Sequence, residues 1–394
     1  MSVSPYSINL PVSIEPVGGY VGGDRAQFDI AFAGKEIRPN TTRLNGFLNI
    51  YRDLAKTTPI DATDKLTLNP NAGINGFIRQ IQISFDGRVM QTINEYGRLV
   101  AIINQASKYY QEDLGVHTDS MLEIMTNPNH DLRDGTDFKN SICQGQKFPP
   151  PMPTGISGSS IPYSLDLYCL LNATNTPIPS SKTGVISISI IFQDNGKVGW
   201  KAAGSVSAYY NYSMTNLEIR YLSDPETYKG ACLFKIANNS HIPTIQNKVS
   251  ALEFTPAMNT TAVVCSFLQE GHDNTPSNMA YDYLATETLQ PMIDYLDIKV
   301  NGQSSDFINY ALRYQTSEIL YQALLAMEDS VDFAPKKHGL SYKKLSNNGT
   351  GFLLGARFAA GVPANSSILF NVALKSVPSN KIRAFFYTFG YVQL

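Results

Sequence analysis

Two stretches decide the reading of this sequence: Ile81-Gln-Ile-Ser-Phe-Asp-Gly87 and Leu296-Asp-Ile-Lys-Val-Asn-Gly302. Each alternates apolar and polar residues, then stops at Asp-Gly or Asn-Gly, a pair that tolerates the positive φ angles of a tight hairpin turn. Each is therefore predicted to be a half-buried strand that runs into a hairpin. The two glycines stand 302 − 87 = 215 positions apart. At that one offset, without a gap, Ile83 matches Ile298, Ile93 matches Ile308, Asn94 matches Asn309 and Arg98 matches Arg313. An amphipathic helix is predicted after each hairpin. Leu99, Ile102, Ile103 and Ala106 line one face of the first, and Ile319, Leu320, Ala323, Leu324 and Met327 one face of the second.

A repeat of about 200 residues is far longer than a solenoid or propeller unit, so each copy should be a whole domain with its own core. The rest of the chain supports a β reading. Phe28, Ile30 and Phe32 recur at every second position, as do Ile186, Ile188, Ile190 and Phe192, then Leu217, Ile219 and Tyr221, then Ile368, Phe370, Val372 and Leu374. The C-terminal KIRAFFYTFGYVQL is β-rich to its last residue. Turns of Gly, Asn and Pro separate these runs, which points to a sandwich or barrel. Ser223-Asp-Pro225 follows a strand and carries a proline that stops ladder pairing. The expected domains are thus residues 1–224 and 225–394. Residues 111–160 form a long excursion within the first, with a short helix predicted over Ser120 to Met125. The strands between Tyr228 and Phe267 are not placed by pattern alone.

Composition narrows the function. The chain has 394 residues, 43% hydrophobic and 16% charged, with Lys+Arg 31 against Asp+Glu 33. A formal charge of −2 gives no overall drive towards nucleic acid, which attracts clustered Lys and Arg. The N-terminus lacks the basic and apolar regions of a secretory signal, and no run of about 18 uncharged apolar residues occurs, so a soluble protein made in the cytosol is expected. Cys143, Cys169, Cys232 and Cys265 form no CxxC pair and are expected to be reduced and structural. The sequons at Asn172 and Asn259 read as loop composition rather than glycan sites.

Asn71-Ala-Gly-Ile-Asn-Gly-Phe-Ile-Arg-Gln-Ile-Gln-Ile-Ser-Phe-Asp-Gly87, followed by Asn94-Glu-Tyr96 and a helix, resembles a segment of the double jelly-roll major capsid proteins of tailless icosahedral DNA viruses. Ile161 to Leu171, Pro177-Ile-Pro179, Val185 to Phe192 and Leu217 to Leu222 resemble the strands that close the first domain of that family. The resemblance implies an all-β chain of two tandem eight-stranded jelly-roll sandwiches with short flanking helices. It also implies a structural protein of the virion shell, a pseudo-hexameric homotrimer that tiles an icosahedral capsid and is made in the host cell cytoplasm. Implied partners are neighbouring capsomers, minor capsid proteins of penton or cement type, and an internal membrane, with no direct sequence-specific contact to nucleic acid.

The enzyme readings are weaker. The sequence contains no HExxH, no GxGxxG after a strand, no P-loop and no GxSxG, the nearest approach being Gly155-Ile-Ser-Gly158. His117, His130, His241, His272 and His338 are dispersed, without an i, i+4 pair. Glu270-Gly-His272-Asp273 has the residue types for acid–base work but precedes a loop-like stretch and reads as a charged turn. Glu328, Asp329 and Asp332 read as a solvated helix terminus, and Lys336, Lys337, His338, Tyr342, Lys343 and Lys344 as a mixed solvated loop. No catalytic residue, cofactor or metal site is expected. Tyr109-Tyr110 and Tyr209-Tyr210 carry the alternative, a carbohydrate-binding or adhesin-type β-sandwich such as a viral spike. A polysaccharide-active jelly roll stands third.

Overall fold

The computed structural model describes residues 6–11, 19–58, 66–68, 73–106, 160–174, 176–195, 199–201, 209–222, 233–241, 243–256, 258–270, 293–310, 321–323, 325–326 and 353–394. The chain begins with β1 (Tyr6–Pro11), β2 (Arg25–Ile30), β3 (Glu36–Ile37), β4 (Arg43–Tyr51), β5 (Leu66–Leu68), β6 (Ile78–Phe85) and β7 (Arg88–Asn94). Helix α1 (Tyr96–Ala106) follows, then β8 (Ser160–Asp166), β9 (Ile178–Pro179), the one-turn α2 (Ser180–Thr183), β10 (Ile186–Phe192), β11 (Gly199–Lys201) and β12 (Tyr209–Leu222). The remaining strands are β13 (Leu233–His241), β14 (Thr244–Ile245), β15 (Val249–Phe254), β16 (Asn259–Gln269), β17 (Ile293–Val300), β18 (Gln303–Tyr310), β19 (Leu353–Val362), β20 (Ile368–Leu374) and β21 (Ile382–Gln393).

Strand pairing shows the same eight-stranded pattern twice. In the first set, β1 and β4 flank β12 and β4 carries β8, while β2 and β6 flank β10 and β6 carries β7. In the second, β13 and β16 flank β21 and β16 carries β19, while β15 and β17 flank β20 and β17 carries β18. Two four-stranded sheets facing one another in this order are a jelly roll, and the chain contains two. The offset read from the sequence is preserved in the elements: β6 and β17 begin and end 215 positions apart.

The paired turns have matching surroundings. Asp86 and Gly87 have φ of 45° and 78°, and Asn301 and Gly302 have 50° and 76°, so both hairpins turn through two left-handed residues. The Asp86 amide donates to the Val185 carbonyl at 2.9 Å, and the Val185 amide donates back to Asp86 Oδ1 at 2.8 Å. The Asn301 amide donates to the Ser367 carbonyl at 2.9 Å, and Ser367 donates back to Asn301 Oδ1 at 3.0 Å. An Asx residue is required here twice over, for its tolerance of positive φ and for its side-chain acceptor. Replacing either one by Ala is expected to cost about 1–2 kcal/mol. Chemical denaturation of the two variants checks this; costs that differ several-fold would deny the turns their common role.

Each roll has an aromatic centre. In the first, Phe192 stacks on Tyr212 with ring centroids 4.4 Å apart and planes 9° apart, with Tyr20 and Phe77 alongside. In the second, Phe386 lies 4.8 Å from Phe254 and 4.9 Å from Phe370. Strands such as β4 and β10 bury every second residue, as a sheet with one covered face must. β16 and β21 do not alternate. From Ala384 to Phe389 every residue is buried, because the outer face of that sheet is covered as well.

One cover is the second helical segment, of which residues 321–323 and 325–326 are described. A Cβ built on Gly355 in β19 would lie 2.7 Å from Ala323 Cα and 3.0 Å from Ala326 Cβ, so helix and strand meet there through small residues. Gly355→Val is expected to destabilise by about 1–3 kcal/mol through overpacking, and a thermal melt unchanged from wild type would contradict that contact. Leu324, the expected apolar anchor of this helix, lies outside the described residues. So do the helix predicted over Ser120 to Met125 and the boundary at Ser223-Asp-Pro225.

Candidate functional site: the seam between the rolls

The residues that fit neither roll's core gather where β7, the outer strand of its sheet, meets β13. Ile93 and Asn239 form a parallel bridge there, which joins a sheet of the first roll to a sheet of the second. Side chains reinforce it. Gln91 Nε2 donates to the Ala237 carbonyl at 2.9 Å, and the Thr92 amide donates to Asn238 Oδ1 at 2.8 Å. Asn94 Nδ2 donates to the Asn239 carbonyl at 2.8 Å, and Asn239 Nδ2 donates to the Phe386 carbonyl at 3.0 Å. Gln91 is buried and also accepts from the Leu170 amide through Oε1 at 2.9 Å, so both ends of its amide are satisfied.

Asn94-Glu95-Tyr96 then turns the chain into α1. Glu95 has φ of 50°, and its carbonyl accepts from the Tyr387 hydroxyl of the second roll at 3.0 Å. Tyr96 is fully buried, and its hydroxyl accepts from the Tyr168 amide at 2.8 Å; burial pushes that phenol well above its ordinary range. One turn later Arg98, 3% exposed, lays its guanidinium 4.1 Å from the centre of the Phe385 ring. A buried cation over an aromatic face is attracted to the ring's negative quadrupole. Apolar packing completes the seam: Phe85 meets Phe234 edge-on at 5.9 Å, and Val264, Phe385, Tyr387 and Phe389 of the second roll join the apolar cluster of the first.

The chemistry-bearing candidates from the sequence do not converge. Glu270 is exposed at the end of β16, its amide bonded to the Lys381 carbonyl at 2.7 Å. His241 ends β13, where its backbone pairs with Phe386. His117, His130, His272, His338, Asp273, Ser157, Tyr109 and Tyr110, the acidic group from Glu328 to Asp332 and the lysine cluster from Lys336 to Lys344 lie outside the described residues. Among the described residues no three His, Cys, Asp or Glu side chains come together as a metal site, and no helix is long and apolar enough to cross a membrane.

Tyr210 is buried and Tyr209 half-buried in β12, where they face Ile50 and Tyr51 of β4, so this pair is no open stacking platform. Cys169 and Cys265 are free thiols in apolar surroundings, as expected. Burial pushes Cys169 up to about 11 and Cys265 well above its ordinary range. Cys143 and Cys232 lie outside the described residues. The Asn172 amide nitrogen donates to the Thr42 and Leu167 carbonyls at 2.9 and 2.8 Å, so it is occupied within the fold.

Compared by sequence, the chain matches no family model and no curated protein. Compared by structure, it matches the Faustovirus major capsid protein with a TM-score of 0.58 at 8% identity, over 100% of this chain and 90% of the other. The PBCV-1 virus capsid matches with a TM-score of 0.53 at 11% identity, over 100% and 95%. The mavirus major capsid protein matches with 0.51 at 12% identity, over 98% and 90%. This chain has the double jelly-roll fold of viral major capsid proteins. At such low identity the likeness lies in the fold, which spans both rolls and the order in which they follow one another. Within this double jelly roll, sequence reasoning marked Ile93, Asn94 and Arg98 as repeat identities but did not place them at a seam. The available signal was that two of the identities across the repeat, Asn94 and Arg98, are polar where a core position would be apolar.

Proposed function

We propose that the protein is a structural major capsid protein, which self-assembles as a pseudo-hexameric homotrimer and tiles an icosahedral virion shell. The observation that carries this reading is the complete second copy of the eight-stranded pattern within one chain. Two similar rolls per chain and three chains per capsomer give six similar faces, so one gene product fills a nearly hexagonal lattice position under closed threefold symmetry. The near-neutral charge suits dense packing without strong self-repulsion. It also leaves genome contact to another component, such as basic proteins or an internal membrane. The domains in this reading are residues 1–224 and 225–394, the role is non-enzymatic, and the mature location is the capsid, alongside minor penton or cement proteins.

Sedimentation of the purified protein over a hundredfold range of concentration tests the assembly state. A trimer that persists on dilution is expected. A monomer at every concentration would overturn the reading.

A further inference from the structure

We propose that the outer edge of β18 pairs with the β1 edge of a second copy of this chain, repeating between molecules the seam that β7 and β13 form within one. The inference rests on the capsid reading and names which edges meet.

The two rolls have the same strand order, so each strand has a counterpart: β7 corresponds to β18, and β13 to β1. Within the chain the edge of β7 is covered by β13. Among the described residues β18 pairs with β17 alone and β1 with β12 alone, which leaves one edge of each without a strand. An uncovered strand edge is a template for another strand. The two open edges are the counterparts of the two that already join, so the match is between unlike surfaces of identical chains. Such head-to-tail contacts close into rings when the rotation allows. Three internal seams alternating with three between chains make a ring of six rolls.

The sequence repeat supports the same assignment. Ile93 makes the bridge to Asn239, and Asn94 donates its amide to the other roll rather than its own. Both recur at the 215 offset, as Ile308 and Asn309 in β18. Arg98, which stacks on the other roll, recurs as Arg313, outside the described residues. The strand register moves this match by two residues. Asn309 pairs with Asp297, where the offset alone would pair it with Tyr295, so the far part of β18 is displaced by two residues relative to β7. An even slip preserves the side of the strand. It puts Asn309 at the register position of Thr92, whose amide donates across the internal seam. Asn309 thus stands at a register position whose counterpart in β7 donates to the neighbouring roll, which calls for a neighbouring roll beyond β18.

The test compares Asn309→Lys and Asn9→Lys, one on each proposed edge, with Ala251→Lys on the exposed part of β15. Sedimentation should show the first two raising the concentration at which the trimer dissociates by at least tenfold, and Ala251→Lys leaving it unchanged. Circular dichroism confirms that each variant is folded. A second measurement does not depend on assembly surviving a charge: Asn309→Cys and Asn9→Cys proteins are mixed and treated with a short bismaleimide linker. A cross-linked dimer in the mixture, absent from wild type and from either variant alone, is expected. A wild-type trimer that neither lysine disturbs, with no cross-link in the mixture, would overturn the edge pairing and leave the capsid reading standing. A wild-type monomer would overturn both.

Discussion

Replacing Phe385 by Ala is expected to cost about 3–5 kcal/mol and to divide thermal unfolding into two transitions. Phe385 is 1% exposed on the side of β21 that faces the first roll, beneath the Arg98 guanidinium, with Arg383 at 5.7 Å from its centroid. Truncation removes the ring's apolar contacts and leaves a buried cation without its aromatic partner. The damage falls on the coupling between the rolls, since the core of the second roll lies on the other side of the same strand. Phe386→Ala supplies the contrast. Phe386 packs against Phe254 and Phe370, so its loss should weaken the second roll from within. Differential scanning calorimetry distinguishes the two. A single transition at the wild-type temperature for Phe385→Ala would refute the energetic role of the seam.

Phe192→Ala is expected to cost about 3–5 kcal/mol as well, with the loss confined to the first roll. Its ring has no solvent exposure and touches Tyr20, Phe77 and Tyr212, which come from separate segments of the chain, so the void has no single neighbour able to fill it. Urea denaturation followed by circular dichroism would measure the change. A cost below about 1 kcal/mol would mean that these aromatics repack freely, contrary to the close packing of protein interiors.

Much of the fold was legible because it is written locally. Ile81 to Gly87 and Leu296 to Gly302 announce strand and turn through alternation and Asx-Gly chemistry, and the structure finds both hairpins with matching φ angles and matching hydrogen bonds. α1 likewise falls where Leu99, Ile102 and Ile103 recur. β13 was not legible, because Leu-Phe-Lys-Ile-Ala-Asn-Asn-Ser-His carries Asn238 and Asn239, poor strand formers, for the sake of the seam. β16 falls in the stretch that pattern left unplaced, and β21 was visible as an apolar run but gave no facing. Both their sides are buried, and a continuous run does not say what covers it. β12 proved longer than the Leu217–Leu222 segment, because Met214, with φ of 52°, interrupts its alternation at an irregularity between Ser213 and Asn216.

The seam itself is a long-range product. Gln91 and Ala237 are 146 positions apart, and Glu95 and Tyr387 are 292 apart. No window of sequence joins them. Only the duplication points to their vicinity, through Asn94 and Arg98, polar residues that recur where packing alone would not demand them.

The most direct test of the whole account is single-particle imaging of the purified protein. Six-lobed particles with threefold symmetry, each built of three chains, are predicted. Uniform particles the size of one chain, with two lobes and no tendency to associate, would contradict it.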